Sequence, residues 1–239
     1  MNDAIGQIVE RFKSGKRTRI LAFGSSNTER RLPGMHWFDC LELAIKNKYG
    51  RVHTCINTGI GGDTSRGLLR RFEEDAAMYH PHLVFITIGC NDANPANNLT
   101  VPEFEANLLE LHRRFAGLDC GVVFQTYYAV IPGQCEPALL KGFYRNMDVV
   151  RRVAADSGAA LIDHLARWEL LRKTCPEKYL PLMQDALHVN ARGNMLMGVD
   201  IARRFGAAFG KDSLDYWAEA LVLQQLMDEL ENKRKDEEA

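Results

Sequence analysis

Arg19-Ile20-Leu21-Ala22-Phe23-Gly24-Ser25-Ser26-Asn27-Thr28 decides how this chain is read. A short apolar run stops at a glycine and is followed at once by two serines and an Asn-Thr pair. The run reads as a buried strand over about 18–23. A strand ending in small hydroxyl residues can present a reactive group at the edge of a parallel sheet. Taken alone, Gly-Ser-Ser also fits an ordinary turn.

Working outward, apolar runs alternate with helical periodicities. Residues 4–13 carry Ile5, Ile8, Val9 and Phe12 on one helical face. Pro33-Gly34 breaks the chain before a helix from Trp37 to Tyr49, stopped by Gly50. Val52 to Asn57 reads as the second strand, and Ser65 to Tyr79 as a helix capped by Asp63, Thr64 or Ser65. Leu83 to Ile88 is the continuous apolar run of a central parallel strand. Helices over 102–115 and 138–157 flank a strand over 121–127, and a fifth strand lies at 159–163. A less regular stretch with Pro176 and Pro181 leads to Asp185. Helices follow from Asn190 to about Phe209 and from Ser213 to Leu230, and the charged tail from Glu231 to Ala239 is expected to fray. This alternation predicts a three-layer α/β/α sandwich with a five-stranded parallel sheet. A flavodoxin-like order 2-1-3-4-5 would bring the loops after strands one, two and three together. The expectation is one domain over 1–239, with a C-terminal helical appendage at about 213–239.

The 239 residues are 46% hydrophobic, enough for a full core, and carry a formal net charge of -1. That balance argues against a nucleic-acid binder or a polybasic membrane surface. The six cysteines form no C-x-x-C pair, so zinc and redox motifs are not expected. Cys55 and Cys90 read as small core hydrophobes at strand ends. The N-terminal segment lacks the apolar centre of a signal peptide, and no run is long enough to span a bilayer. A cytoplasmic protein with reduced thiols is expected.

Three later stretches give Gly24-Ser25-Ser26 its chemistry. They are Asn57-Thr58-Gly59-Ile60-Gly61-Gly62-Asp63-Thr64, Gly89-Cys90-Asn91-Asp92 and Asp185-Ala186-Leu187-His188. A serine hydroxyl needs a base to take its proton. Ser26 is the candidate nucleophile and His188 the base, since an unperturbed imidazole titrates near neutrality. Asp185, three residues earlier, can orient the imidazole across a tight turn. The oxyanion needs preorganised donors. Ser26 N–H, Gly62 N–H and the Asn91 amide are the candidates, Gly62 because a residue without Cβ lets backbone approach a substrate. Singly, each of these stretches also fits a turn or a helix cap.

Together the four blocks resemble those of the SGNH hydrolases, also called GDSL esterases or lipases. The block G-D-S-x-T matches Gly24 to Thr28, N-x-G-x-x-G-D-T matches Asn57 to Thr64, G-x-N-D matches Gly89 to Asp92, and D-x-x-H matches Asp185 to His188. The resemblance implies a serine hydrolase with the flavodoxin-like three-layer fold, no metal and no organic cofactor. Ser25 departs from it, standing where the family usually has Asp.

The expected activity is hydrolysis of a short acyl ester of a small molecule or carbohydrate. An acyltransferase with the same triad and a catalytically silent binding protein are the rivals. His164, after Asp163, is an alternative base. His80 and His82, flanking Pro81, read as a polar turn before strand three in preference to a metal pair, and His36-Trp37 as pocket lining or the start of a helix. Tyr127 and Tyr128 could wall an acyl or sugar pocket or pack in the core, and Arg30-Arg31 could meet an acidic substrate. Leu214, Trp217, Leu221, Leu223, Leu226 and Leu230 recur at helical spacing, a face that fits either a homo-oligomer through the C-terminal helix or packing on its own domain.

Overall fold

The computed structural model describes residues 4–31, 34–207 and 215–237. In chain order the elements begin with α1 (Ala4–Lys13), β1 (Thr18–Gly24), α2 (Trp37–Tyr49) and β2 (His53–Asn57). Then come α3 (Ser65–Arg70), α4 (Phe72–Asp75), β3 (Leu83–Thr87), α5 (Val101–Ala116) and β4 (Gly121–Gln125). The remainder is α6 (Pro137–Ser157), β5 (Ala160–Ile162), α7 (His164–Thr174), α8 (Pro176–Tyr179), α9 (Ala191–Arg204) and α10 (Asp215–Glu237). They fall into two compact units: one from residues within 1–31, 51–127 and 134–163, the other from residues within 32–50, 128–133 and 164–239.

The first unit holds the sheet. Its five strands are all parallel, in the order β2-β1-β3-β4-β5 expected from the sequence. Ile20, Leu21, Ala22 and Phe23 of β1 and Leu83, Val84, Phe85 and Ile86 of β3 are all buried, as central parallel strands require. Helix α1 buries Ala4, Ile8 and Phe12. Its Ala4 comes so close to β4 that a Cβ on Gly121 would lie 2.9 Å from the Ala4 Cβ. Helix α6 buries Phe143, Met147, Val150 and Val153. In this order the direction in which strands are added to the sheet reverses between β1 and β3, the place where open parallel sheets bind ligands.

The helix expected over 65–79 is divided. It stops at Arg70, resumes at Phe72 and ends as a 3-10 turn over Ala77–Tyr79. Arg71 takes φ -98 and ψ 14 at the break. Its guanidinium is committed to the loops described below, and Thr64 provides the cap for α3.

The second unit contains α2, α7, α8, α9 and α10. Helix α2 approaches α9 closely at Gly198, where a Cβ would stand 2.3 Å from that of Cys40. Helix α7 occupies much of the stretch read as irregular. Its buried face is made by His164 and Arg167 as well as Leu165, Trp168 and Leu171, so the apolar period is diluted. Helix α10 runs to Glu237, beyond the point where fraying was expected. Ala220, Leu223 and Met227 are buried, whereas Leu221 and Val222 are exposed. Leu214, Phe209 and Pro33 lie outside the described residues, as does the Trp217 side chain. A buried polar network ties α10 down: Asp200 pairs with Arg167 and accepts from Gln224 Nε2 at 3.1 Å, while Arg167 reaches Asp228 at 2.6 Å.

Candidate active site

Gly24 ends β1 because no side chain fits there. An added Cβ would meet Thr28 Oγ1 at 2.4 Å and Thr87 O at 2.5 Å. The chain then turns tightly, with Thr28 N and Glu29 N both donating to Ser25 O at 2.9 and 3.0 Å. The two adjacent serines part company. Ser25 is fully buried and its Oγ lies 2.8 Å from Tyr127 Oη, whereas Ser26 is half-buried. Asn27 also bonds the Tyr127 hydroxyl, and burial pushes that phenol's pKa up.

The glycine-rich loop after β2 is laid against this turn. Asn57 Nδ2 donates to Thr28 O at 2.7 Å, and Ile60 N donates to Gly24 O at 3.1 Å. Asp63 N returns to Ile60 O at 3.2 Å, closing a four-residue turn. Gly62, third in that turn, has φ +80, which glycine takes without steric cost. It is exposed, and nothing lies within 4 Å of the place a Cβ would occupy.

Arg71 holds loop and strand end together, a role nothing in the sequence signalled. Its Nη1 donates to Thr58 O at 2.6 Å, Nη2 to Gly24 O at 3.0 Å, and Nε to Asp63 Oδ2 at 2.7 Å. The guanidinium also sits 4.5 Å from the centre of the Phe23 ring.

After β3, Gly89 takes φ +123, and a Cβ there would come within 2.9 Å of Phe104. Asn91 Nδ2 donates one hydrogen to Asp63 O at 2.8 Å, which fixes its amide beside the glycine-rich loop. Asp92 is buried, and its Oδ1 accepts from Ser65 N at 2.8 Å. Burial pushes its carboxyl up, against the bonds from Ser65. Ser26, Gly62 and Asn91 therefore all belong to the first unit, on loops after β1, β2 and β3 that are joined by hydrogen bonds.

Asp185 and His188 belong to the second unit, where the structure brings them together. His188 Nδ1 lies 2.9 Å from both Asp185 oxygens. The same carboxylate accepts from Leu187 N at 2.8 Å and His188 N at 2.9 Å. Burial would raise the Asp185 carboxyl, but these N–H groups and the imidazole outweigh it and hold it below the ordinary carboxylate range. A carboxylate on Nδ1 leaves Nε2 as the nitrogen with the lone pair, the tautomer a general base needs. Asn190 then caps α9 through Arg192 N and Gly193 N.

The residues weighed beside these have other places. His164 is buried and lies 3.5 Å from Asp200, within the network that ties down α10. His82 Nδ1 accepts from Arg19 N at 3.0 Å in a turn before β3. His36 caps α2 by accepting from Phe38 N. Tyr127 and Tyr128 are both buried, with hydroxyls bonded to the loops of Ser25 and His188, so neither walls an open pocket. Cys90 is buried as read, whereas Cys55 is half-buried. Among the described residues, no helix is long and apolar enough to cross a membrane.

The profile of the GDSL-like lipase/acylhydrolase family matches residues 22–196. An acetylxylan esterase from Geobacillus stearothermophilus is 27% identical over 164 residues, covering 63% of this chain and 71% of that protein. The solved structure of the acetylxylan esterase Axe2 from the same organism superposes with a TM-score of 0.70 at 23% identity, covering 83% of this chain and 99% of that one. The acetyl xylan esterase AlAXEase gives 0.66 at 22% identity, with 79% and 98% covered. With the profile running from β1 into α9 and the fold shared with these enzymes, the chain belongs to the GDSL-like lipase and acylhydrolase family, the SGNH hydrolases, and is a carboxylic-ester hydrolase of that family.

Proposed function

We propose that the chain removes acetyl groups from a carbohydrate ester, with Ser26 as nucleophile and His188, oriented by Asp185, as general base. The observation that carries this reading is the Asp185–His188 pair, whose carboxylate is locked by two backbone N–H groups while both its oxygens face Nδ1. Catalytic variants of Axe2 with a serine, an aspartate or a histidine replaced by alanine have been solved, which supports the same three residue types here. The acetyl and carbohydrate parts rest on the acetylxylan esterases that the chain resembles.

In this reading His188 Nε2 takes the Ser26 proton as Oγ adds to the ester carbonyl. The tetrahedral oxyanion is held by Ser26 N–H, Gly62 N–H and the second hydrogen of Asn91 Nδ2. Collapse breaks the bond to the sugar oxygen, which His188 protonates. Water then gives its proton to His188 and its oxygen to the acyl carbon, releasing acetate and restoring Ser26. Hydrolysis rather than transfer to an alcohol is favoured by the hydrolytic relatives.

The test is release of acetate from acetylated xylo-oligosaccharides, compared with p-nitrophenyl acetate and a long-chain p-nitrophenyl ester. Turnover of both acetyl substrates, labelling of Ser26 by a fluorophosphonate and loss of rate in His188→Ala are expected. Preference for the long chain, or acetyl transfer to an added alcohol in place of acetate release, would refute the acetyl-hydrolase reading. An adduct on another serine would refute the site.

A further inference from the structure

We infer that Tyr128 is a positioning residue for His188, clasping the peptide on both sides of the imidazole; this rests on the reading of His188 as the base. Tyr128 follows β4 and belongs to the same unit as the Asp185–His188 turn. Its side chain is fully buried, with the ring tilted against Trp168 at 5.3 Å between centroids. The hydroxyl donates to Leu187 O at 2.9 Å and accepts from Val189 N at 2.9 Å. These are the residues immediately before and after His188. A phenol has one hydrogen to give, and here it goes to Leu187 O, so the hydroxyl is held at both of its functions.

Neighbouring bonds extend the clasp. Ile131 N donates to Ala186 O at 3.0 Å, and Gln184 N to His188 O at 2.7 Å. Tyr179 Oη donates to Ala129 O at 3.0 Å, fixing the segment that carries Tyr128. The Asp185 carboxylate thus sets the turn from within, and the Tyr128 hydroxyl sets it from outside. Val189 is buried, so water cannot readily replace the lost phenol on its N–H. Without the hydroxyl, Leu187 O and Val189 N would seek other partners, and the imidazole would shift while Asp185 still held Nδ1.

The test is Tyr128→Phe, which keeps the ring and removes the clasp. A reacting group displaced by about 1 Å can lose on the order of 10² in rate, and the retained Asp185 bond limits the loss. A fall in kcat of about 10–100-fold with KM within twofold is expected, measured where circular dichroism shows the variant folded. In a His188→Ala background, Tyr128→Phe should cost nothing further, because residues acting as one unit are not additive. Wild-type kcat in the folded variant, or a full additive loss in the His188→Ala background, overturns the proposal. If Tyr128→Phe does not fold, hydrogen exchange of the wild-type Val189 amide decides. Exchange as slow as the α9 amides supports the clasp, and exchange as fast as the exposed Gly62 amide overturns it. His188→Ala with wild-type activity would instead refute the base assignment itself.

Discussion

Gly59→Ala tests how tightly the glycine-rich loop is fitted to the turn that carries Ser26. A Cβ at Gly59 would stand 2.3 Å from Glu29 N, 2.5 Å from Thr28 C and 2.8 Å from Thr28 Cβ. Two of these are backbone atoms, and the turn they belong to is held by Thr28 N and Glu29 N on Ser25 O and by Asn57 Nδ2 on Thr28 O. Normal contact requires loop or turn to retreat by roughly 1 Å. Overpacking of this kind costs about 1–3 kcal/mol, or about 2–4 °C of Tm per kcal/mol for a chain of this size. The same displacement at a reacting group costs on the order of 10² in rate. Gly158→Ala, at the end of α6 and outside the site, is the matched control. Nothing lies within 4 Å of its added Cβ, and φ +70 leaves only the left-handed backbone penalty, about 1–2 kcal/mol. The expected result is that Gly59→Ala loses about 10² in kcat/KM on p-nitrophenyl acetate and is labelled by fluorophosphonate correspondingly slowly. Gly158→Ala should lose stability without losing rate. Wild-type labelling of Gly59→Ala would show that loop and turn are not coupled as the contacts imply.

Ser26→Ala should abolish fluorophosphonate labelling and lower kcat by up to about 10⁶, whereas Ser25→Ala should keep labelling and cost about 1–3 kcal/mol in denaturant unfolding, since it removes a partner from the buried Tyr127 hydroxyl. An adduct found on Ser25 by peptide mass spectrometry would reverse the assignment. Asn91→Ala should lower kcat by about 10²–10³ with little change in KM. Because the variant also takes a donor from Asp63 O, its unfolding midpoint should fall as well, and an unchanged kcat would remove Asn91 from the oxyanion site. Acid should loosen α10. Burial would raise the Asp200 carboxyl, but His164 and Arg167 outweigh it and hold it well below its unfolded value. The folded state then binds fewer protons at Asp200 than the unfolded state. Its contribution is complete above the unfolded value near 4 and is lost as pH falls further. Unfolding of Asp200→Asn followed between about pH 3 and 7 should show a flatter acid limb than wild type, and parallel limbs would refute this.

Much of the fold was legible because β1, β3 and β4 are buried on both faces and appear as unbroken apolar runs. The four blocks were legible because each sits just beyond a strand or before α9, where small residues and glycines have few other uses. The parts that escaped are those in which polar side chains face inward. Helix α7 turns His164 and Arg167 toward Asp200, so its buried stripe contains charges that an apolar period does not register. Arg71 interrupts the helix with neither glycine nor proline at the break, and the cause is tertiary: three carbonyl and carboxylate partners, two on the glycine-rich loop and one at the end of β1. No local pattern announces such partners, since they are brought near only by the pairing of β1 with β2 and β3. Tyr127 and Tyr128 looked like ordinary aromatic residues after a strand, and only the paths of their hydroxyls reveal what they hold.

The one departure from the family pattern becomes intelligible in the same terms. Ser25 occupies a place with no exposure, where the family usually has a carboxylate. Around it the structure already contains Tyr127, whose phenol is pushed up by burial with Cys90 and Asp92 adding to the effect, and Asp92, whose carboxyl burial also pushes up. Another buried carboxylate would need its own compensating donors or would take up a proton. A serine asks for less: its hydroxyl meets the Tyr127 hydroxyl at 2.8 Å, and either can donate. The Asn27 side chain supplies Tyr127 with a further bond. The Ser25 side chain therefore shapes this turn through a neutral hydrogen bond, which does not change with protonation across the range in which an imidazole base works, beside the Arg71 guanidinium on Gly24 O. In the second unit the Asp185 carboxylate accepts two backbone N–H groups as well as the imidazole of His188, the base of the proposed mechanism. Ser25 in place of the family's Asp leaves the turn that carries Ser26 without a further buried carboxylate, while the hydrogen bonds that shape the turn remain.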